Sequence, residues 1–321
     1  MSLNSVTVII RSAGERTESL CRKLVLDQGI SEEAVLIVTE SPFSKALKVG
    51  FEIGIDHKRD WTFCIDADVL LRASSIKRMV ESANEQPKEV CEIHGYILDK
   101  FFGGVRPGGV HLYRTAHLGM AIKAIPPEGI NIRPEATMLK VLTSKSYPWR
   151  SVPELIGLHD FEQHYDDIFR KCFVHAHKHL GLVDLFIPYW RKRASTDSDF
   201  RAALAGFAAG IEHFQQVRID HCEPYFTECA ERLALKDKLP LNFSSWRLAH
   251  VEKIIDQWQE PLEYLERYPT NPEAHEKKGF KRAFALYKSN RQRLGISRSI
   301  RYIAARSLGV ASRRLLETCK I

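Results

Sequence analysis

The chain has 321 residues, of which 44% are hydrophobic and 27% charged, and its formal net charge at pH 7 is +7. This composition is typical of a globular protein with a sizeable core, and no apolar run approaches the ~20 residues that a membrane-spanning helix needs. The seven cysteines include no Cys-x-x-Cys pair, which argues against a disulfide framework and against a cysteine zinc site. We therefore expect reduced thiols and a cytoplasmic location. We also expect no secretory signal.

Strands and helices are predicted to alternate over roughly the first quarter of the chain. The predicted strands cover residues 5–10, 34–39 and 61–66, and the predicted helices begin after residue 16 and cover 43–57 and 76–86, the last capped by Ser74 or Ser75. This order predicts a doubly wound α/β nucleotide-binding half. The first strand is not followed by Gly-x-Gly-x-x-Gly, and there is no Gly-Lys-Ser/Thr loop, so dinucleotide oxidoreductases and P-loop enzymes are disfavoured.

The third predicted strand ends in two carboxylates that are separated by one small residue, Asp66-Ala67-Asp68. In open α/β sheets, ligands bind at the carboxyl ends of the strands. Two carboxylates at such an edge suit a hard divalent cation that keeps open positions for phosphate oxygens. The alternative is a turn in which the carboxylates only accept hydrogen bonds from nearby backbone N–H groups.

Five stretches within residues 5–125 carry a resemblance to a known family. They are the strand Val6–Ile10 with the loop Arg11–Arg16, the strand that ends at Glu40, the segment Lys45–Gly50, the Asp66-Ala67-Asp68 motif, and the glycine-bearing segment Gly103–Arg114. Together they resemble glycosyltransferases of the A-type fold (GT-A), close to the large family 2 of inverting enzymes. The resemblance implies a doubly wound mixed α/β sheet with a helical C-terminal extension.

The resemblance also implies a metal-dependent transfer of a sugar from a nucleotide-diphosphate donor to an unknown hydroxyl acceptor, in the synthesis of cell-surface glycans or glycolipids. Asp66 and Asp68 would hold Mn²⁺ or Mg²⁺, and a late histidine, His159, would complete the metal shell. The residues expected to bind the nucleotide sugar are Arg11, Ser12, Glu15, Glu40, Lys45, Lys48 and Asp66.

An inverting transfer needs a carboxylate base beside the acceptor hydroxyl, and the resemblance assigns that role to Glu135. Pro134 and Glu135 also fit the ordinary start of a helix, which explains Glu135 without a catalytic role. For His159 the alternative is an unremarkable histidine before a helix that is capped by Asp160.

The second half of the sequence predicts helices. We expect a catalytic core over residues 1–155, a helical subdomain over 156–269 that completes the acceptor side, and a basic helical tail over 270–321. Residues 277–321 hold 13 Lys and Arg and one acidic residue, so the rest of the chain carries a net negative charge. A basic amphipathic helix suits an anionic membrane surface, here the inner face of the membrane, and we favour this interpretation slightly. The alternative is a helix that packs on the catalytic domain or on a partner. No nucleic-acid-binding motif accompanies the basic residues.

Two other functions stay open from the sequence. A sugar nucleotidyltransferase shares the sheet and the carboxylate–metal chemistry, but it releases pyrophosphate, and no Gly-rich activation loop follows the first strand. A catalytically silent scaffold that keeps the fold would bind partners through its helices. Binding of Mn²⁺ together with a nucleotide distinguishes an enzyme from the scaffold.

Overall fold

The structure, a computed structural model, describes residues 3–128, 133–179, 183–213, 217, 226–236 and 238–258. The basic tail predicted over 270–321 lies outside the described residues, as do residues 129–132. No described helix combines the length and the apolar character that crossing a bilayer requires.

Within the described residues, eight strands form one mixed sheet. They are β1 Val6–Arg11, β2 Val35–Val38, β3 Trp61–Asp66, β4 Val69–Leu71, β5 Glu92–Asp99, β6 Gly104–Pro107, β7 Val110–Arg114 and β8 Trp149–His159. Their order is β2-β1-β3-β7-β5-β8-β4, and β6 pairs with β5. The strands β2, β1 and β3 are parallel, whereas β7 runs antiparallel to both β3 and β5. The predicted mixed sheet is therefore confirmed.

Helices cover both faces of this sheet. They are α1 Glu18–Leu26, α2 Phe43–His57, α3 Ser75–Asn84, α4 Leu118–Ala124 and α5 Pro134–Ser144. Side chains alternate along a strand, so β1 directs Val8 and Ile10 into the apolar layer under α1 and α3, and Ile9 into the layer under α2, α4 and α5. This two-sided packing explains the nearly continuous apolar sequence of β1 and confirms the doubly wound arrangement.

The chain divides into two compact units. The described residues of the first are 3–128, 133–168, 236 and 238–258, and those of the second are 169–179, 183–213, 217 and 226–235. The expected boundary at 155/156 falls inside β8, because that strand continues to His159 and pairs with β4 and β5. Sheet pairing thus keeps residues 156–159 with the first unit.

The described elements after β8 are helical. They are α6 Tyr165–Lys178, α7 Val183–Arg193, α8 Ser198–Glu212, α9 Phe226–Arg232 and α10 Leu248–Asp256, with one short 3₁₀ turn at Phe243–Ser245. In the second unit, Gly206 of α8 lies against the backbone of Phe169 in α6, where a Cβ atom would collide with the carbonyl of Phe169. Trp190 is fully buried and packs on Phe207 at 5.6 Å between ring centroids, so it belongs to the core.

Candidate active site

The predicted metal ligands Asp66, Asp68 and His159 lie together at one edge of the sheet. Asp66 ends β3, Asp68 directly precedes β4, and His159 ends β8, where it is paired with Val69 of β4. One ligand atom from each of the three lies within 4.8 Å of the others. His159 Nε2 is 3.5 Å from Asp68 Oδ1. Two carboxylates and an imidazole within this distance are a chemically reasonable ligand set for a divalent cation.

Backbone hydrogen bonds fix the loop that carries the two carboxylates. The N–H of Asp66 donates to the carbonyl of Gly109 at 3.0 Å, and the N–H of Ala67 donates to the carbonyl of Arg11 at 2.9 Å. The Thr17 hydroxyl donates to the carbonyl of Ala67 at 2.8 Å. Both Asp66 and Asp68 are therefore held in place from neighbouring segments, as a preformed site requires.

Gly109 allows the β6–β7 turn to approach His159. Its φ is +72°, a left-handed conformation that side-chain-bearing residues rarely adopt. A Cβ atom at this position would lie 3.2 Å from His159 Cδ2 and 3.1 Å from a methyl group of Val69. The predicted glycine-bearing segment thus forms β6 and β7, and the turn between these two strands packs against the histidine.

Two buried carboxylates orient His159 from its other side. Its Nδ1 lies 2.9 Å from Asp99 Oδ2 and 2.9 Å from Asp160 Oδ2. Asp99 also forms an ion pair with Arg106, whose Nη2 lies 2.6 Å from Asp99 Oδ2. Burial alone would raise the pKa of Asp99, but Arg106 and His159 hold this pKa well below its usual range. An Nδ1–H that donates to Asp99 leaves the Nε2 lone pair facing Asp68. Carboxylates behind metal-binding histidines commonly orient the ring in this way.

The alternative interpretation of Asp160 as a helix cap is wrong. The next helix, α6, begins at Tyr165, and both Asp160 and Glu162 have positive φ values, of 67° and 60°. Such a backbone cannot continue into a right-handed helix.

Arg11 occupies the space between the metal-ligand cluster and Glu135. Its guanidinium contacts Asp66 Oδ1 at 2.7 and 2.8 Å and Glu135 Oε1 at 2.9 Å. The parallel register of β1 and β3 produces the first contact, since Arg11 and Asp66 are direct neighbours across the two strands. Desolvation raises the pKa of Asp66 and the nearby Asp68 adds to this rise, whereas Arg11 opposes it.

Glu135 is at the start of α5, as predicted, and has three polar neighbours. Besides Arg11, the Tyr113 hydroxyl donates to Oε1 at 2.7 Å, and His111 Nε2 is 3.1 Å from Oε2. Burial alone would raise the pKa of Glu135, but Arg11 and His111 lower it to about 2. Held in this way, Glu135 is a carboxylate with little affinity for a proton.

The remaining predicted residues lie in loops or at the surface. Ser12 and Glu15 hydrogen-bond to each other at 3.0 Å within the loop after β1. Lys45 pairs with Glu40 at 2.5 Å, and both side chains are exposed. Lys48 pairs with Glu52. Within the described residues, none of these five side chains belongs to the Asp66–Asp68–His159 group.

Sequence reasoning missed the polar residues of β5, β6 and β7 that surround the site. They are Glu92, His94 and Asp99 on β5, Arg106 on β6, and His111 and Tyr113 on β7. One signal was present: Glu92 and His94 alternate with apolar residues, as do His111 and Tyr113 with Leu112, which indicates strands with a polar stripe on one face.

The sequence matches no protein-family model and no curated protein. Among solved structures, a mannosyltransferase from Pyrobaculum calidifontis, in complex with GDP-Man and Mn²⁺, is 11% identical, with a TM-score of 0.38 over 96% of this chain and 86% of that one. A glycosyltransferase involved in glycosylation of the major capsid of PBCV-1 is 11% identical, with a TM-score of 0.33 over 47% and 82%.

A CMP:2-keto-3-deoxy-manno-octonic acid synthetase complexed with CTP is 9% identical, with a TM-score of 0.34 over 48% of this chain and 92% of that one. At such TM-scores the likenesses carry no argument about the chemistry of this chain.

Proposed function

We propose that the protein is a metal-dependent glycosyltransferase that transfers a sugar from a nucleotide-diphosphate donor to a hydroxyl acceptor. The observation that supports this proposal most is the convergence of Asp66, Asp68 and His159 at the carboxyl edge of β3. This edge is where open α/β sheets bind nucleotides.

The residues of the cluster fit Mn²⁺ or Mg²⁺. Asp66 and Asp68 supply hard carboxylate oxygens, and the neutral imidazole of His159 adds a nitrogen ligand that favours Mn²⁺ over Mg²⁺. When bound, such a cation stabilises the negative charge that develops on a departing diphosphate. Asp99 orients His159 for this role through its Nδ1.

We propose that Arg11 is the second cation of the donor site. A guanidinium can bind a diphosphate through paired hydrogen bonds, and Arg11 already lies against Asp66 at the same edge. An incoming diphosphate would compete with Glu135 for Arg11. Release from Arg11 would raise the proton affinity of Glu135, which is what a base for the acceptor hydroxyl needs.

The other nucleotide-sugar contacts remain proposals from the family resemblance. Ser12 and Glu15 follow β1 and Glu40 follows β2, so all three lie beyond the carboxyl ends of parallel strands. Lys45 and Lys48 lie in the first two turns of α2, the helix that follows. Their side chains are exposed and therefore accessible to a donor.

A thermal-shift panel of nucleotide sugars, with and without Mn²⁺, tests the proposal. We expect one nucleotide sugar to raise the melting temperature of the wild-type protein only when Mn²⁺ is present, and the effect to be lost in Asp68→Asn. The control Asp56→Asn, an exposed position in α2, keeps it. A catalytically silent scaffold predicts no Mn²⁺-dependent shift with any nucleotide sugar.

Product analysis then distinguishes the two enzyme classes. A glycosyltransferase releases a nucleoside diphosphate from the stabilising nucleotide sugar, whereas a nucleotidyltransferase releases pyrophosphate from a nucleoside triphosphate. Release of pyrophosphate, with no nucleoside diphosphate formed, would replace the proposed reaction by the second one.

We also propose that the protein is cytoplasmic and binds an anionic membrane surface through its basic C-terminal segment. The 13 Lys and Arg of residues 277–321 support this proposal. Flotation with liposomes that contain anionic lipid tests it on the full chain and on a deletion of 277–321. Equal flotation of the two proteins would exclude the membrane role of the segment.

A further inference from the structure

Glu92, His94 and His111 form a second group of metal-ligating side chains on the central sheet. Glu92 and His94 lie two residues apart on β5, and His111 lies on the neighbouring strand β7. One ligand atom from each lies within 4.8 Å of the others. The Glu92 side chain is fully buried, and those of His94 and His111 are 9% and 13% exposed.

The two histidines direct the same nitrogen atom at the carboxylate. The Nδ1 of His111 is 2.8 Å and the Nδ1 of His94 is 3.3 Å from Glu92 Oε1. Ligand atoms of a tetrahedral zinc ion, with bonds of about 2.0–2.1 Å, are about 3.3 Å apart. The two distances from the Glu92 oxygen to the histidine nitrogens, 2.8 and 3.3 Å, are therefore near those of a tetrahedral site, and three protein ligands would leave one position for water.

The opposite nitrogen of each imidazole has an oxygen partner. The Nε2 of His94 is 2.6 Å from the Ser151 hydroxyl, and the Nε2 of His111 is 3.1 Å from Glu135 Oε2. Metal-ligating histidines usually donate their second ring N–H to such an oxygen, which fixes the ring and the tautomer. Ser151 and Glu135 are placed to serve as these outer partners.

The buried negative charge of Glu92 also requires a compensating cation. Glu92 and Glu135 contact the two ring nitrogens of His111, and Arg11 contacts Glu135. A buried carboxylate needs a compensating positive charge. That charge is supplied either by a bound metal ion or by protonation of His111.

We propose that Glu92, His94 and His111 form a site for a transition-metal ion of the zinc type, separate from the Asp66–Asp68–His159 site. Two imidazoles and one carboxylate match the ligand preference of Zn²⁺, whereas Mg²⁺ prefers oxygen ligands. The ion would fix the ring of His111 and, through its Nε2–H, the side chain of Glu135. The assignment does not depend on the proposed transferase reaction.

The test measures metal binding by the full chain without any substrate. Metal-free protein carrying Asp68→Asn, which disables the first site, is titrated with Co²⁺ and followed by visible absorption, and Zn²⁺ is then added as a competitor. We expect one equivalent of Co²⁺ with the intense absorption of tetrahedral coordination, displaced by one equivalent of Zn²⁺. Weak absorption of the octahedral type, or no saturable binding, would overturn the proposal.

Variants assign the ligands. His94→Gln and His111→Gln, each in the Asp68→Asn background, are expected to weaken Zn²⁺ binding by more than the ~10–100-fold that the loss of an outer partner costs. The matched control is His57→Ala, at the end of α2, which leaves binding unchanged. Unchanged binding in both glutamine variants would also overturn the proposal and leave a protonated His111 as the counter-charge.

A milder variant keeps the test valid if the glutamine variants do not fold. Ser151→Ala removes only the hydroxyl behind His94. We expect it to weaken Zn²⁺ binding by about tenfold, at the lower end of the range for outer partners. Wild-type affinity in a folded Ser151→Ala protein would contradict the role of His94 as a ligand.

Discussion

Arg11→Met tests whether a buried cation holds the carboxylates of the proposed active site together. The Arg11 side chain is only 5% exposed and pairs with Glu135, which is 13% exposed, and with Asp66, which is 33% exposed. Removing one partner of a buried pair costs about 3–5 kcal/mol, because the other charge stays buried without compensation. Solvent screens the half-buried Asp66, so we expect a loss of about 3 kcal/mol in the free energy of unfolding, near the lower end of that range.

Urea unfolding of the wild type and two variants measures this loss. The control is Arg22→Met, because Arg22 pairs with Glu32 at a similar distance, 2.7 Å, but with side chains 33% and 77% exposed. Such a surface pair contributes about 0–1 kcal/mol. We expect Mn²⁺ to restore part of the stability of Arg11→Met, since Asp66 would be one of its ligands. If Arg11→Met loses no more stability than Arg22→Met, the buried network does not need its cation, and the reasoning is refuted.

Three further changes test other contacts of the site. The pKa of Glu135 is lowered to about 2, so the ionised carboxylate contributes its full stability above the ordinary pKa of about 4.5, and this contribution is lost as the pH falls toward 2. Glu135→Gln should therefore reduce the dependence of the melting temperature on pH over this range. An unchanged pH dependence would contradict the lowered pKa. Gly109→Val should displace His159 and thereby weaken Mn²⁺ binding, as measured by isothermal titration calorimetry. The control Gly119→Ala adds its methyl group in open space and should leave Mn²⁺ binding unchanged. Equal Mn²⁺ affinities of the two variants would show that the turn does not position His159. Asp99→Asn removes a charged acceptor from His159 Nδ1 and should weaken Mn²⁺ binding about 10–100-fold. Its control is Asp27→Asn, because Asp27 belongs to an exposed pair with Lys23. Unchanged Mn²⁺ affinity in Asp99→Asn would exclude an orienting role for Asp99.

The first half of the fold is predictable because each element there has a regular pattern. The helix predicted over 43–57 is α2, with the same bounds, since its apolar residues repeat at helical intervals. The apolar strand before Asp66 is likewise found where predicted. Ser74 precedes α3 as expected, but its side chain makes no capping hydrogen bond, because its φ of +57° differs from the extended conformation of a normal N-cap.

The strands that complete the site were not predictable in this way. β4 has three residues, which is too short for a period to emerge. β5 carries Glu92, His94 and Asp99 at buried positions, where a pattern of apolar residues would have identified a strand. These polar residues are stable there because partners from other strands compensate them, such as His111 for Glu92. Such pairing depends on the tertiary fold, and its only local signal is the alternation of polar with apolar residues in β5 and β7.

The position of Arg11 shows the same limit at the level of a single residue. The family resemblance marked Arg11 as a nucleotide-binding candidate, yet its contacts with Asp66 and Glu135 join residues that are 55 and 124 positions away in the sequence. Only the register of β1 with β3 and the placement of α5 bring them together. The prediction that Asp66, Asp68 and His159 converge came from the resemblance rather than from any period in the sequence.

Binding of Mn²⁺ to the full chain in the presence of a nucleotide-diphosphate sugar is the most direct test of the central claim. The free-ion signal of Mn²⁺ in electron paramagnetic resonance reports how much ion is bound. We expect saturable loss of this signal with the wild type, tightened by the nucleotide sugar, and no such loss with Asp68→Asn at the same concentrations. A nucleotide sugar that binds equally well without Mn²⁺, or equal Mn²⁺ binding by Asp68→Asn, would contradict a metal-held diphosphate at this edge of the sheet.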